Sequence, residues 1–221
     1  ATGATGPGST NRIYVSNAGS NNVSVIDGVT NTVITTIPVG ANPEGVGVNP
    51  FIDRIYVANA VSNNVSVIDG ISNTVITTIP VGVTPRGIGV NTSTNLIYVS
   101  NFGSNDVSVI SGATNTVITT VPVGTNPHFG VAANPVTNLI YVANETSGDV
   151  SVIDGLTNTV ITTITVGVDP LGVGVNPLTN RIYVANNNIV SDNVSVIDGL
   201  TNVVIATIPV NFNPFGIGVN P

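Results

Sequence analysis

A repeat of about 42 residues, four strand-like segments in every copy, and a last segment stripped of large side chains predict an all-β fold. The architecture they point to is a five-bladed β-propeller of four-stranded antiparallel blades. Tyr14, Tyr56, Tyr98, Tyr141 and Tyr183 mark the period, with spacings of 42, 42, 43 and 42 residues. The copies run without a linker, so residues 11–221 read as a single domain behind an N-terminal extension, residues 1–10. Residues common to all copies are explained first by the architecture. A specific site is therefore to be sought where the copies differ.

The elements of the first copy fall at residues 12–16, 23–27, 33–37 and 45–49. NVSVID and TVITTI place β-branched residues at both parities, the mark of a sheet covered on both faces. Asp27-Gly28, Asp69-Gly70, Asp154-Gly155 and Asp198-Gly199 open the turn before the third strand, where positive φ is expected. Tight turns favour antiparallel pairing and set a β-solenoid, which needs parallel rungs and a shorter period, below a propeller. The fourth segment reads GVGV, GIGV or GVAAN. Glycine inside a strand signals close approach of another backbone, which places this segment innermost and residues 33–37 at the outer edge. Residues 1–10 contain no inner strand, whereas residues 216–220 are a spare one. The expectation is twenty strands, with the first blade closed by this C-terminal strand lying beside residues 12–16.

The copies resemble the YVTN β-propeller repeats of surface-layer-type and other extracellular proteins. The signature stands as Tyr14-Val15-Ser16-Asn17, Tyr56-Val57-Ala58-Asn59, Tyr98-Val99-Ser100-Asn101, Tyr141-Val142-Ala143-Asn144 and Tyr183-Val184-Ala185-Asn186, followed by VSVID and TTIPVG blocks. The resemblance implies a propeller fold and an extracellular setting. Members more often carry seven blades, which leaves open how a ring of five copies is completed. Fold alone does not assign an activity.

Composition narrows the partners. Charged residues make up 7% of the chain, against roughly 25% in an average globular protein. Net charge is -7, with four Arg and no Lys, and no basic run exists to hold nucleic acid. No apolar stretch reaches the length of a transmembrane helix. Cysteine, Met and Trp are absent, so few side chains oxidise readily, which suits a harsh extracellular setting. The opening ATGATGPGST fits a mature secreted protein, or a chain trimmed at its start.

The connection into each inner segment follows a PVG-x-x-P pattern, varied to TVGVDP and PVNFNP in the last two copies, and the residue after its proline differs in every copy: Glu44, Arg86, His128, Leu171 and Phe215. In a propeller these positions ring one mouth of the axial channel. They are the binding-site candidates, set against simple drift at a tolerant loop position. His128 is the single histidine, and neither a nucleophile elbow nor a haem-attachment motif occurs. Catalytic residues, metal ligands and cofactors are therefore expected to be none. Asp106, Asp149 and Asp192 raise a calcium reading, but one carboxylate per loop falls short of the six to eight oxygens calcium takes. A hairpin symmetric about residues 19 and 20 sets Arg12 opposite Asp27 and Arg54 opposite Asp69, an architectural pairing. N-x-S/T sequons stand at Asn22, Asn64, Asn91, Asn144 and Asn193.

The expected function is that of a non-catalytic extracellular structural or interaction propeller, secreted or at the cell surface, of a kind that self-assembles into a surface layer or filament. Its partners would be its own copies, another cell-surface protein or a glycan. The alternative is a small-ligand binder, or a lactonase- or lyase-like enzyme, using the channel mouth.

Overall fold

A computed structural model describes residues 11–188 and 192–221, and the extension at residues 1–10 lies outside the described residues. Among the described residues nineteen strands form five antiparallel sheets. The first has three strands: β1 (Arg12–Asn17), β2 (Asn22–Asp27) and β3 (Thr32–Pro38). Four sheets of four strands follow. They are β4 (Pro43–Asn49), β5 (Arg54–Asn59), β6 (Asn64–Asp69) and β7 (Thr74–Pro80), then β8 (Pro85–Asn91), β9 (Leu96–Asn101), β10 (Asp106–Ser111) and β11 (Thr116–Pro122). Next come β12 (Pro127–Asn134), β13 (Leu139–Asn144), β14 (Asp149–Asp154) and β15 (Thr159–Thr165), and last β16 (Pro170–Asn176), β17 (Arg181–Asn186), β18 (Asn193–Asp198) and β19 (Val203–Pro209). Within each sheet the strands pair in chain order.

The sheets stack face to face, which is why both parities of the central strands are apolar. Between the second and third sheets, Tyr56, Val65, Val67 and Ile79 meet Ile97, Val99 and Ile110. Equivalent cores lie at the other three junctions. A fully buried aliphatic side chain contributes about 1.5–3 kcal/mol, so four repeated cores supply most of the favourable energy. β4, β8, β12 and β16 are innermost and touch one another in series. Here glycine is obligatory: a Cβ on Gly87 would stand 2.6 Å from the Phe129 carbonyl oxygen, and one on Gly130 2.7 Å from that of Leu171.

The Asp-Gly turns are built differently from the expectation. Neither Asp27 nor Gly28 has positive φ. That conformation falls four residues past the Asp, on Asn31, and on Asn73, Asn115, Asn158 and Asn202 in the later copies. Asp27 instead accepts hydrogen bonds from the Val29 and Thr30 amides through Oδ1, holding the turn as a cap. A Cβ on Gly28 would stand 2.6 Å from Asn11 Oδ1, so the Asn11 side chain would have to move to admit one. Further left-handed positions, such as Asn21, Asn42 and Asp53, end the remaining turns of a copy. Asn and Asp tolerate this conformation best among residues with a Cβ, which accounts for much of the asparagine in the chain.

The ring is not closed. Among the described residues, 211–221 form no strand and β1 pairs with β2 alone. The expected twentieth strand beside β1 is thereby corrected. Residues 214–220 instead continue the inner series past β16, with the Phe215 carbonyl against Gly172 and Ile217 against Gly174. The physical reason is that every junction repeats the same packing. The turn from one blade to the next is then set by the repeat, and five such steps leave the two ends apart.

Candidate functional site

The mouth positions arise from one local feature. In each connection into an inner segment a left-handed residue (Asn42, Thr84, Asn126, Asp169 or Asn213) precedes the proline, and Pro43, Pro85, Pro127 and Pro170 start the inner strands. The following residue is thus delivered to the same place in every blade. Because the inner strands nearly touch, these side chains converge.

Glu44, Arg86 and His128 meet directly. Arg86 Nη1 lies 2.8 Å from His128 Nε2, and Arg86 Nε lies 3.7 Å from Glu44 Oε2. Asn42 Nδ2 donates to Glu44 Oε1 at 2.9 Å and so fixes that carboxylate. The Arg86 guanidinium carbon stands 4.3 Å above the Phe102 ring, a cation–π contact. Ser100 Oγ donates to the His128 carbonyl at 2.5 Å and accepts from the Gly87 amide, tying β9 to both inner strands.

His128 is held neutral. Burial, with the Arg86 charge second, lowers its pKa to about 4. Since a guanidinium can only donate, the imidazole accepts at Nε2 and carries its proton on Nδ1. Glu145 Oε2 sits 3.8 Å from the same Nε2. With the imidazole neutral this is no ion pair, and the Arg86 hydrogen bond governs the geometry. Burial first, then the nearby Asp169 charge, raises the Glu145 pKa. Three polar atoms of the cluster are buried without a hydrogen-bond partner in the protein: Glu44 Oε2, Arg86 Nε and His128 Nδ1.

An aromatic wall completes the site. The His128 ring packs edge-on against Phe102 at 5.5 Å, Phe129 at 4.3 Å and Phe215 at 6.5 Å between centroids. Phe215 therefore reaches the cluster from the tail. Leu171 occupies the matched place on β16, buried, with its carbonyl against Gly130.

Three members escape a search of the post-proline positions alone, yet two sequence signals mark them. Phe102 and Glu145 directly follow the Y-V-x-N signature, where the other copies have Ala18, Ala60 and Asn187. Phe129 is the extra residue that makes one spacing 43 instead of 42. Both are departures from the repeat, the same kind of signal that singles out Glu44, Arg86 and His128.

The other candidates resolve into architecture. Asp106 and Asp149 accept hydrogen bonds from Asn101 and Asn144, at the ends of β9 and β13. Asp192 occupies a different position, where it accepts from the Asn213 amide. Among the described residues no three His or carboxylate side chains gather in a way that could hold a metal ion. Arg54 and Arg181 pair with Asp69 and Asp198, whereas Arg12 turns away from Asp27 to the Gly70 carbonyl and to Asn73 Oδ1 in the second blade. Of the sequons, Asn91 and Asn144 are buried completely.

Five radially stacked antiparallel sheets around converging inner strands define a β-propeller-like repeat fold, and solved structures share it. Hydrazine synthase of Kuenenia stuttgartiensis superposes with a TM-score of 0.85 at 24% identity, over 96% of this chain and 68% of that one. A functionally unknown protein from Desulfotomaculum acetoxidans gives 0.76 at 16%, over 92% and 67%. Dihydro-heme d1 dehydrogenase NirN gives 0.75 at 16%, over 91% of this chain and 44% of that one. No protein-family model matches the chain. A PE-PGRS family protein of Mycobacterium tuberculosis, PE_PGRS18, is 63% identical over 38 residues, which is 17% of this chain and 8% of that protein. The expectation that the chain is not an enzyme is corrected by these neighbours, since two of them are enzymes built on the same fold. At such identities the likeness concerns the fold and assigns no activity.

Proposed function

We propose that the chain is an extracellular propeller of the YVTN type whose specialised element is a small-ligand site at the converging ends of the inner strands. One observation carries this reading. Near-identical repeats depart from one another at Glu44, Arg86, Phe102, His128, Phe129, Glu145 and Phe215, and the fold gathers these residues into one cluster. Other departures, such as Leu96, Ser111 and Leu139, lie outside this cluster and are left to drift. The cluster holds the Arg86–Glu44 ion pair, Nε to Oε2 at 3.7 Å, and a buried His128 Nδ1 with no hydrogen-bond partner in the protein, beside an aromatic wall. That set fits a polar ring compound bearing hydroxyl or carboxyl oxygens and one apolar face, such as a sugar, a lactone or a hydroxy acid. The extracellular setting is supported by the repeat signature and the charge-poor composition.

A panel of sugars, lactones, hydroxy acids, divalent ions and peptides tests the site by thermal shift. At least one member raises the melting temperature of the parent protein, and the Glu44→Ala/Arg86→Ala/His128→Ala variant loses that rise while still melting cooperatively. A panel that stabilises nothing sinks the reading.

A structural role as a surface-layer or filament component is the second reading. It is favoured by Ile34, Ile76, Ile118, Ile161 and Ile205, exposed at matched positions on the five outer-edge strands. Such a stripe suits repetitive packing against like surfaces. Ordered sheets or filaments in electron micrographs support that role, and their absence counts against it.

A further inference from the structure

The face opposite the mouth is made of two kinds of turn, one leading from each inner strand to the next strand and one from each third strand in the sheet order to the outer edge. Both are built alike: a side-chain oxygen caps the turn and accepts the amide two residues on. Asp27, Asp69, Asp154 and Asp198 accept from the Val29, Ile71, Leu156 and Leu200 amides. Asn49, Asn134 and Asn176 accept from those of Phe51, Val136 and Leu178. The residue held in this way is the tip of the turn. In these seven turns it is large, apolar and 56–84% exposed. The third sheet departs, with Ser93 and Ala113 at its two tips.

A turn tip ordinarily takes Gly, Asn, Asp or Ser. The mouth-end turns follow this, with Ser20, Ser62, Ser104 and Ser147 at matched positions. Exposed aliphatics scattered singly need no explanation, but large apolar residues at seven of nine equivalent tips do. The tips are also firmly held. In the second to fifth sheets the glycine before the outer tip donates its amide to the residue that precedes the sheet's second strand: Gly70 to the Asp53 carbonyl, Gly112 to Asn95, Gly155 to Asn138 and Gly199 to Asn180. Ser93 Oγ donates to the Pro135 carbonyl and ties one inner turn to the next. A surface fixed in this way loses little conformational freedom when something docks on it.

We propose that this face docks on the same face of a second copy of the chain. The proposal does not depend on the ligand reading. Charge selects the partner. Six of the eleven acidic residues (Glu44, Asp106, Glu145, Asp149, Asp169 and Asp192) stand at the mouth end, where Arg86 is the one arginine. The opposite end has the other five acids against three arginines. Those arginines are committed within the protein, Arg54 and Arg181 to Asp69 and Asp198, and Arg12 to Gly70 and Asn73. None of them is left to attract an anionic lipid surface, whereas a like face is nearly neutral and meets its copy with little repulsion. The mouth ends repel each other. Area agrees with this choice: seven tips exposing on the order of 100 Å² each offer about 700 Å², close to the roughly 800 Å² per partner of a stable interface. The contact uses one patch twice, so it closes at a dimer.

Sedimentation equilibrium tests this, from about 1 μM to about 1 mM protein. The mass of the parent chain is expected to rise from 22.3 kDa toward twice that value. The Leu156→Asp/Leu178→Asp variant, altered at two exposed tips, should stay monomeric with an unaltered melting curve. Ile76→Asp/Ile161→Asp, on the outer-edge strands, should still dimerise. A parent chain that is monomeric throughout overturns the proposal, as does a dimer that survives the Leu156→Asp/Leu178→Asp change. Flotation with phosphatidylcholine vesicles addresses the other occupant. No flotation of the parent chain is expected, and flotation that the Leu156→Asp/Leu178→Asp variant loses would assign the face to a lipid surface instead.

Discussion

His128 is the most perturbed titratable group with a bearing on the site, and the sign of its effect on stability is fixed by its surroundings. Its folded pKa of about 4 lies below the ordinary value of 6.5. Above pH 6.5 the imidazole is neutral in both the folded and unfolded chain. Between 6.5 and 4 the unfolded chain binds a proton that the folded one refuses, so stability falls with falling pH across this window. The loss is at most about 3 kcal/mol, from 1.36 kcal/mol per pKa unit. Glu145, facing the same ring with a raised pKa, opposes the trend, while Arg86 reinforces it. His128→Gln should flatten the dependence of unfolding free energy on pH between 6.5 and 4. A parent protein equally stable at both limits, with Glu145 replaced by Gln to remove its offset, would contradict the buried neutral imidazole.

At the scale of the element, the inner strands set the tolerance of the fold. Gly87 is walled by the His128 and Phe129 carbonyls, backbone that cannot swing aside as a side chain would. Gly87→Ala should therefore cost about 1–3 kcal/mol in denaturant unfolding, the usual range for overpacking. Gly19→Ala is the matched control, with nothing within 4 Å of the new methyl group. Equal stability of the two variants would mean that the inner strands are not in close contact. These strands are legible in the sequence because glycine at alternate strand positions weakens a sheet unless a second backbone lies against it. The hairpin register is legible too, since the pairing of Arg12 with Asp27 and Arg54 with Asp69 follows from tight-turn symmetry. The chemistry of the turns is not, because Asp-Gly suggests positive φ on its own residues. Here the Asp spends its carboxylate on capping, and an Asn further on takes the left-handed conformation.

For the whole molecule, repetition explains both the site and the open ring. The architecture uses the shared residues, so chemistry is left to the places where copies diverge. Part of the site can be read this way, at Glu44, Arg86 and His128. Glu145 and Phe102 require knowing that the turn after Y-V-x-N reaches the same mouth as the post-proline residue, a contact that only the stacking of blades reveals, while Phe129 shows in the sequence only as the extra residue beside His128. Ring closure escapes the sequence for a related reason. A spare strand at one end and a missing strand at the other match in sequence, but whether they meet depends on the angle repeated at each junction.

That angle makes β1 an unpaired edge, and amide hydrogen exchange at low protein concentration measures this directly. In the arc, the amides of β9, β13 and β17 that face β8, β12 and β16 are held in ladder hydrogen bonds, while among the described residues the equivalent edge of β1 has no partner strand. Those β1 amides should exchange at rates near the unprotected limit, with strong protection at the matched positions of β9 and β13. Protection of β1 equal to that of β9 in a sample shown to be monomeric would mean that the tail closes its own ring, and the open arc would be wrong.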